Sequence, residues 1–197
     1  MTLEAAILAG GTSRRIGENK AFIELGGKPL VKWTIENLRE VKIFNRIFLV
    51  ANDLTQFLPI ELELFADIFS AIGPLGGLHA ALRFCESEYL FVTTCDMPFV
   101  KPEAVKLIIH NARGFDACVP VISDNFEPLL AVYNKRVIKE VENSIKHNER
   151  RIISFFQNIR VRKIYEDEIK EADPELRSFF NINFPEDLEK AQKIIQK

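Results

Sequence analysis

The stretch "LEAAILAGGTSRRIGENK", Leu3–Lys20, runs from six mostly apolar residues into a double glycine, two arginines, a third glycine and a lysine. A short apolar run bounded by glycines reads as a buried strand ending in a turn. Gly10 and Gly11 at that end can turn sharply and let backbone N–H groups approach an anion with no Cβ in the way. Arg14, Arg15 and Lys20 add the positive charge a triphosphate needs. The glycines fall at 10, 11 and 17, which does not fit the G-x-G-x-x-G dinucleotide fingerprint, and no Gly-Lys-Ser/Thr string supplies a Walker loop. A mononucleotide phosphate site fits the stretch better than either, and better than a purely structural turn.

Further strand-like runs follow: "RIFLVA" from Arg46, "YLFVTT" from Tyr89, "DACVPV" from Asp116, "PLLAVY" from Pro128 and a basic "RVRKIY" from Arg160. Helical spacing lies between several of them, as at Val31, Ile35 and Leu38 after Pro29, and at Val105 and Ile109 after Pro102. This alternation predicts an α/β chain with a mostly parallel sheet covered on both faces. A short helix through Phe156 and a final amphipathic helix from Pro185 are expected, with the acidic "EDEIKEADPE" as a solvated loop or helix face.

The chain has 197 residues, a length expected for one domain, 1–197, with a real core. A formal net charge of −2 argues against a nucleic-acid partner, so any phosphate binding is local. No apolar run is long enough to suggest a membrane span, and Glu4 with the early glycines does not suit a secretory signal, so the chain is expected to be cytoplasmic. Cys85, Cys95 and Cys118 lack metal-ligand or redox spacing and are expected to be inert buried thiols.

"LAGGTSRRIGENKAFIELGGKPL" resembles the signature of nucleotidyltransferases with the three-layer α/β/α, nucleotide-diphospho-sugar transferase-like (Rossmann-like) fold, and within them the molybdenum cofactor guanylyltransferase family. The resemblance runs almost end to end, through "GPLGGL" at Gly73, "CDMPFV" at Cys95, "EPLLAVY" at Glu127, "ERRIISFF" at Glu149 and "FFNINFPEDL" at Phe179. Three positions depart from the family pattern: Ile16 replaces a methionine, Asn19 an aspartate and Gly76 the more usual alanine.

The resemblance implies transfer of GMP from GTP to the terminal phosphate of molybdopterin or Mo-molybdopterin, with release of pyrophosphate and dependence on Mg²⁺. Molybdenum-cofactor delivery proteins are further implied partners. Arg15, Lys20 and Asp96 are the implied catalytic residues, with Asp96 as metal ligand. Leu8, Ala9, Gly10, Gly11, Lys20, Asn52, Asp67, Gly76 and Asp96 are implied to hold the nucleotide. Asp96 directly follows an apolar strand, where an oxygen ligand for Mg²⁺ belongs; the residues also allow a capping role for it. Turn and capping roles stand open for Asn52 and Asp67 too.

Gly11, where cytidylyl relatives often carry alanine, leaves room for a purine and favours GTP over CTP. Glu127, Pro128, Arg150 and Arg151 fall on the implied acceptor side, and paired arginines suit a phosphate. Asn181 and Asn183 read as residues that tie down a late loop, and His79 as a packing or capping residue. The rival readings are a cytidylyl or other nucleotidyltransferase on the same fold, and a non-catalytic nucleotide-binding protein in cofactor delivery.

Overall fold

The structure, a computed structural model, describes residues 1–9, 19–69 and 72–196. The strands are β1 (Leu3–Leu8), β2 (Glu24–Leu25), β3 (Lys28–Pro29), β4 (Ile47–Ala51), β5 (Glu63–Ala66), β6 (Tyr89–Thr94), β7 (Ala117–Ile122), β8 (Asn125–Phe126), β9 (Ala131–Asn134) and β10 (Val161–Tyr165). The helices are α1 (Leu30–Val41), α2 (Pro74–Phe84), α3 (Pro102–Asn111), α4 (Ile138–Lys146), α5 (Glu166–Lys170) and α6 (Pro185–Ile195). Among the described residues, eight strands form one sheet in the order β10-β7-β9-β6-β1-β4-β5, with β8 folded back on β7. β1 pairs in parallel with β4 and β6, β4 with β5 and β7 with β10, whereas β9 runs antiparallel to β6 and β7. A mostly parallel three-layer α/β/α sheet is therefore what the chain forms.

The alternation of side chains along β1 builds the two outer layers. Leu3, Ala5 and Ile7 face Val31, Ile35 and Leu38 of α1 and Val105 and Ile108 of α3. Ala6 and Leu8 face the other way, onto Leu75, Leu78 and Leu82 of α2 and Val141 of α4. All six β1 residues are buried, as a central strand covered on both faces requires. A third, smaller cluster of Leu25, Leu30, Ile182 and Ala191 ties α6 and the β2–β3 hairpin to the body. Among the described residues, no helix is long and apolar enough to cross a membrane.

Three differences from the sequence reading have physical causes. The strand expected from Pro128 begins only at Ala131, because Glu127–Leu130 forms a turn closed by Leu130 N–H donating to Glu127 C=O at 3.2 Å. β5 is a half-exposed edge strand, so "ELFA" carries no apolar run to signal it. The acidic segment is not wholly solvated: Ile169 is buried, and Asp173 is fully buried, 2.8 Å from the Lys101 ammonium and accepting Ser178 N–H at 2.7 Å. Burial raises the Asp173 pKa, but Lys101 and Ser178 outweigh it and hold the carboxyl below the ordinary range.

The three thiols are unpaired and buried, as expected. Burial pushes Cys95 and Cys118 up to about 12 and Cys85 to about 11, so none is a thiolate near neutral pH.

Candidate active site

Parallel strands β1 and β6 deliver their carboxyl ends to the same rim, where loops converge. A cavity of about 430 Å³ opens there, lined by Leu8 at the end of β1 and Ala9 just after it, Thr94 at the end of β6 with Cys95 and Asp96 just after it, Asn19 and Lys20, and Pro74 at the start of α2. Its far wall is Glu127, Pro128 and Leu129 from the turn before β9, and Asn181 and Asn183 from the segment before α6.

Lys20 and Asp96 meet across this cavity, 76 positions apart in sequence, with Nζ 3.5 Å from Oδ2. The Lys20 ammonium also donates to Asn183 Oδ1 at 2.6 Å. Thr94 Oγ1 donates to Asp96 Oδ1 at 2.5 Å and fixes the carboxylate at the strand end. The Asp96 carbonyl accepts Ile182 N–H at 2.9 Å, which draws the Asn181–Asn183 segment onto the rim. Asp187 completes the frame by accepting N–H bonds from Asn183 and Phe184, each at 3.1 Å, at the start of α6. Asn183 was expected to tie down a loop; it does so and also places its amide oxygen on the lysine. Thr94 gave only a weak signal, a hydroxyl two residues before an aspartate.

Asn19 shows how the chain accommodates its departure from the family's aspartate. Its Oδ1 caps the one-turn 3₁₀ helix Lys20–Phe22 by accepting Ala21 N–H at 3.1 Å, and its Nδ2 donates to Gln56 Oε1 at 2.9 Å. The cap places Lys20, and the neutral amide leaves the ammonium to Asn183 and Asp96. Replacing Asn19 with alanine is expected to cost about 1 kcal/mol of stability, while aspartate keeps the cap. Urea unfolding of both variants checks this; equal losses would show that Asn19 contributes something other than the cap.

Asp67 follows β5, and its Oδ1 is buried without a hydrogen-bond partner among the described residues. Burial raises its pKa, with the opposing pull of His79 smaller. His79 is buried on α2, packs edge-on against Phe69 and lies 3.4 Å from Glu142 on α4, which is a packing role. Asn52 is exposed just beyond β4 and does not line the cavity.

Gly76 does not line the cavity either. A Cβ there would meet the Phe69 carbonyl oxygen at 2.9 Å, so the glycine permits close approach of the segment before α2. Gly76→Ala is expected to destabilise the chain by about 1–3 kcal/mol through this overlap. A thermal-unfolding midpoint equal to that of the parent would refute it.

Arg150 and Arg151 are exposed and stand outside the cavity wall, so the described cavity does not include the arginine pair expected on the acceptor side. Gly10, Gly11 and Arg15 lie outside the described residues. Among the described residues, no group of three or more His, Cys, Asp or Glu side chains forms a metal cluster.

A family model for the MobA-like NTP transferase domain matches residues 5–162. The chain belongs to that family. As a MobA-like nucleotidyltransferase it is 37% identical over 192 residues to a protein named molybdenum cofactor guanylyltransferase from Desulfosudis oleivorans, covering 96% of this chain and 94% of the relative. It is 35% identical over 187 residues to a probable molybdenum cofactor guanylyltransferase from Pelotomaculum thermopropionicum, covering 94% and 90%. Among solved structures, molybdopterin-guanine dinucleotide biosynthesis protein A from Archaeoglobus fulgidus superposes with a TM-score of 0.85 at 35% identity over 98% of each chain. A cytidylyltransferase from Thermus thermophilus, with a TM-score of 0.75 and 16% identity over the whole of both chains, shares the fold.

Proposed function

We propose that this MobA-like chain transfers GMP from GTP to the terminal phosphate of molybdopterin and releases pyrophosphate. The observation that carries the proposal is the convergence of Lys20, Asp96 and Asn183 on a cavity at the carboxyl ends of β1 and β6. It gains weight from relatives named as guanylyltransferases that align along nearly the whole chain.

A phosphate oxygen of the acceptor attacks the α-phosphorus in line; a new P–O bond forms as the bond to the pyrophosphate oxygen breaks. The nucleophile is already anionic near neutral pH, since the second pKa of a phosphomonoester is about 6. No general base is required, in keeping with a buried His79 held by packing and with thiols that stay protonated. Catalysis then rests on alignment and on neutralising charge as it shifts onto the leaving pyrophosphate. Lys20 supplies a positive charge from the described wall, and Arg15 is assigned to the same phosphate chain. Leu8, Ala9, Gly10 and Gly11 are assigned to the nucleotide, while Asn52 stands outside the described cavity wall. Asp67 offers a buried acceptor that suits the N–H donors of a guanine edge. Gly76 acts through the close packing it permits.

The donor set on the cavity wall is a carboxylate, an amide oxygen and a hydroxyl, the oxygen chemistry that Mg²⁺ prefers. Asp96 would hold the ion, which supplies charge neutralisation at the phosphates when bound. Molybdenum-cofactor delivery proteins as partners and a cytoplasmic setting belong to the same reading.

The test follows label from the α-phosphate of GTP into molybdopterin with Mg²⁺ present, beside an identical reaction with CTP. Transfer from GTP in preference to CTP is expected. Equal or better use of CTP would make the chain a cytidylyl relative, and no transfer from either would make it a nucleotide-binding protein without chemistry.

A further inference from the structure

The amino end of β6 is the opposite end of the strand that carries Asp96 into the active site. A second cavity of about 350 Å³ lies there, lined by Met1, Glu88 and Tyr89 together with Arg113, Gly114, Arg136 and Arg160. The three arginines come from separate segments: the turn after α3, the 3₁₀ turn after β9 and the residue before β10. On a chain whose formal charge is −2, three guanidinium groups facing one concavity are a local reversal of sign.

Two of these side chains, 52% and 68% exposed, share one carboxylate. Asp116 accepts from Arg136 Nε, and its Oδ2 lies 3.5 Å from Arg160 Nε and accepts the Arg160 backbone N–H at 2.7 Å. Its own N–H donates to the Arg160 carbonyl at 2.9 Å, so the carboxylate is anchored through main chain. Burial raises the Asp116 pKa, but Arg160 N–H and the two guanidinium groups outweigh it and keep the group ionised. Both arginines meet Asp116 through Nε, which leaves their terminal amino groups without a protein partner among the described residues. The Arg113 guanidinium has no hydrogen bond or ion pair among the described residues at all. Glu88 is the one acid in the wall; its carboxylate lies 3.5 Å from the Asn134 side-chain amide that donates to it.

From this geometry we infer that the cavity between Arg113, Arg136 and Arg160 is a second anion site, for a phosphate dianion. A guanidinium donates in a planar fork that matches phosphate oxygens. Asp116 draws the Arg136 and Arg160 guanidinium groups to one carboxylate, which brings the two forks together beside the cavity. Four residues of β6 lie between Tyr89 in this site and Thr94 in the other, a span of about 17 Å, so it is distinct from the cavity that holds Lys20 and Asp96. The volume corresponds to roughly twelve waters at about 30 Å³ each, so a small phosphomonoester fits as well as a bare phosphate.

The experiment titrates the uniformly ¹⁵N-labelled chain at pH 7.5 and fixed ionic strength with inorganic phosphate and, in a parallel series, with glycerol 3-phosphate. The Gly114 and Tyr89 amides report this site, and the Leu8, Ala9 and Asp96 amides report the other. A saturable shift at Gly114 is expected, with a midpoint raised at least fivefold by Arg113→Ala while the midpoint at Leu8 and Ala9 is unchanged. Tighter binding of the glycerol ester assigns the site to phosphomonoesters; equal or tighter binding of inorganic phosphate assigns it to the free ion. No saturable shift at Gly114 with either probe, or a shift that Arg113→Ala leaves as it was, overturns the site. Arg113 has no partner to lose among the described residues, so the variant tests binding without threatening the fold.

Discussion

Replacing Asp96 with alanine is expected to lower kcat/KM for GMP transfer by roughly 10²–10³, the usual cost of removing one electrostatic contact from a transition state. The structure makes this a test of chemistry more than of folding. Among the described residues the side chain of Asp96 bonds only Thr94 and faces Lys20, while the contact that anchors the late loop uses its backbone carbonyl, which alanine retains. The thermal midpoint should therefore move little while turnover collapses. Lys20 would keep Asn183 as its partner at 2.6 Å, so the ammonium should stay near the rim and nucleotide binding should weaken less than turnover. Turnover within a fewfold of the parent, with Mg²⁺ dependence intact, would remove Asp96 from the proposed mechanism.

The largest expected effect on stability lies at the opposite end of β1. Glu4 sits in the middle of the sheet with a side chain only 4% exposed, and Arg46 reaches it from the segment before β4, 18% exposed. Arg46 donates through Nε at 3.2 Å and Nη2 at 2.8 Å; the Glu86 N–H and the Ser87 hydroxyl complete the shell. Arg46→Ala would leave a buried carboxylate without its counter-charge. The expected cost is about 3 kcal/mol, the lower end of the range for breaking buried pairs, because the guanidinium keeps some contact with water. Chemical denaturation at pH 7 measures it, and a loss under about 1 kcal/mol would mean that the pair behaves as a surface ion pair.

The same pair sets a pH dependence. Burial raises the Glu4 pKa, but Arg46 and the Glu86 and Ser87 donors outweigh it, so the folded value lies below the ordinary glutamate value of about 4.3. The unfolded chain then binds more protons than the folded one in that window. The contribution of Glu4 is accordingly complete above the ordinary value and is lost as pH falls through the lowered one. Arg46→Ala should flatten this acid limb of the stability curve; an unchanged slope would assign the limb to other carboxylates, Asp116 and Asp173 among them.

Much of the fold was legible because its signals are local. A short apolar run rich in aromatic and β-branched residues, such as "YLFVTT", reads as a strand covered on both faces, and β6 forms at those six residues. Pro102 and Pro185 mark the first turns of α3 and α6, where a missing N–H costs nothing. Asp96 and Lys20 were legible as candidates, since each lies just past or within a motif whose spacing is short, and both line the cavity at the rim of β1 and β6.

What only the tertiary structure decided are the pairings over long sequence separation. The placement of Lys20 against Asn183 depends on how α6 docks, and the assignment of Glu4 to Arg46 depends on the parallel register of β1 and β4. Gly76 reads in sequence as part of a nucleotide loop, yet the space beside it is taken by the Phe69 carbonyl. Arg113, Arg136 and Arg160 look like scattered surface charge until the sheet order sets them around one cavity. The sequence by itself determined the layers and the rim where the candidate residues gather, because periodicity and strand ends are properties of neighbours along the chain. The tertiary structure decided which charges face one another, because electrostatic partners are chosen by proximity in space, and sequence carries no mark of that distance.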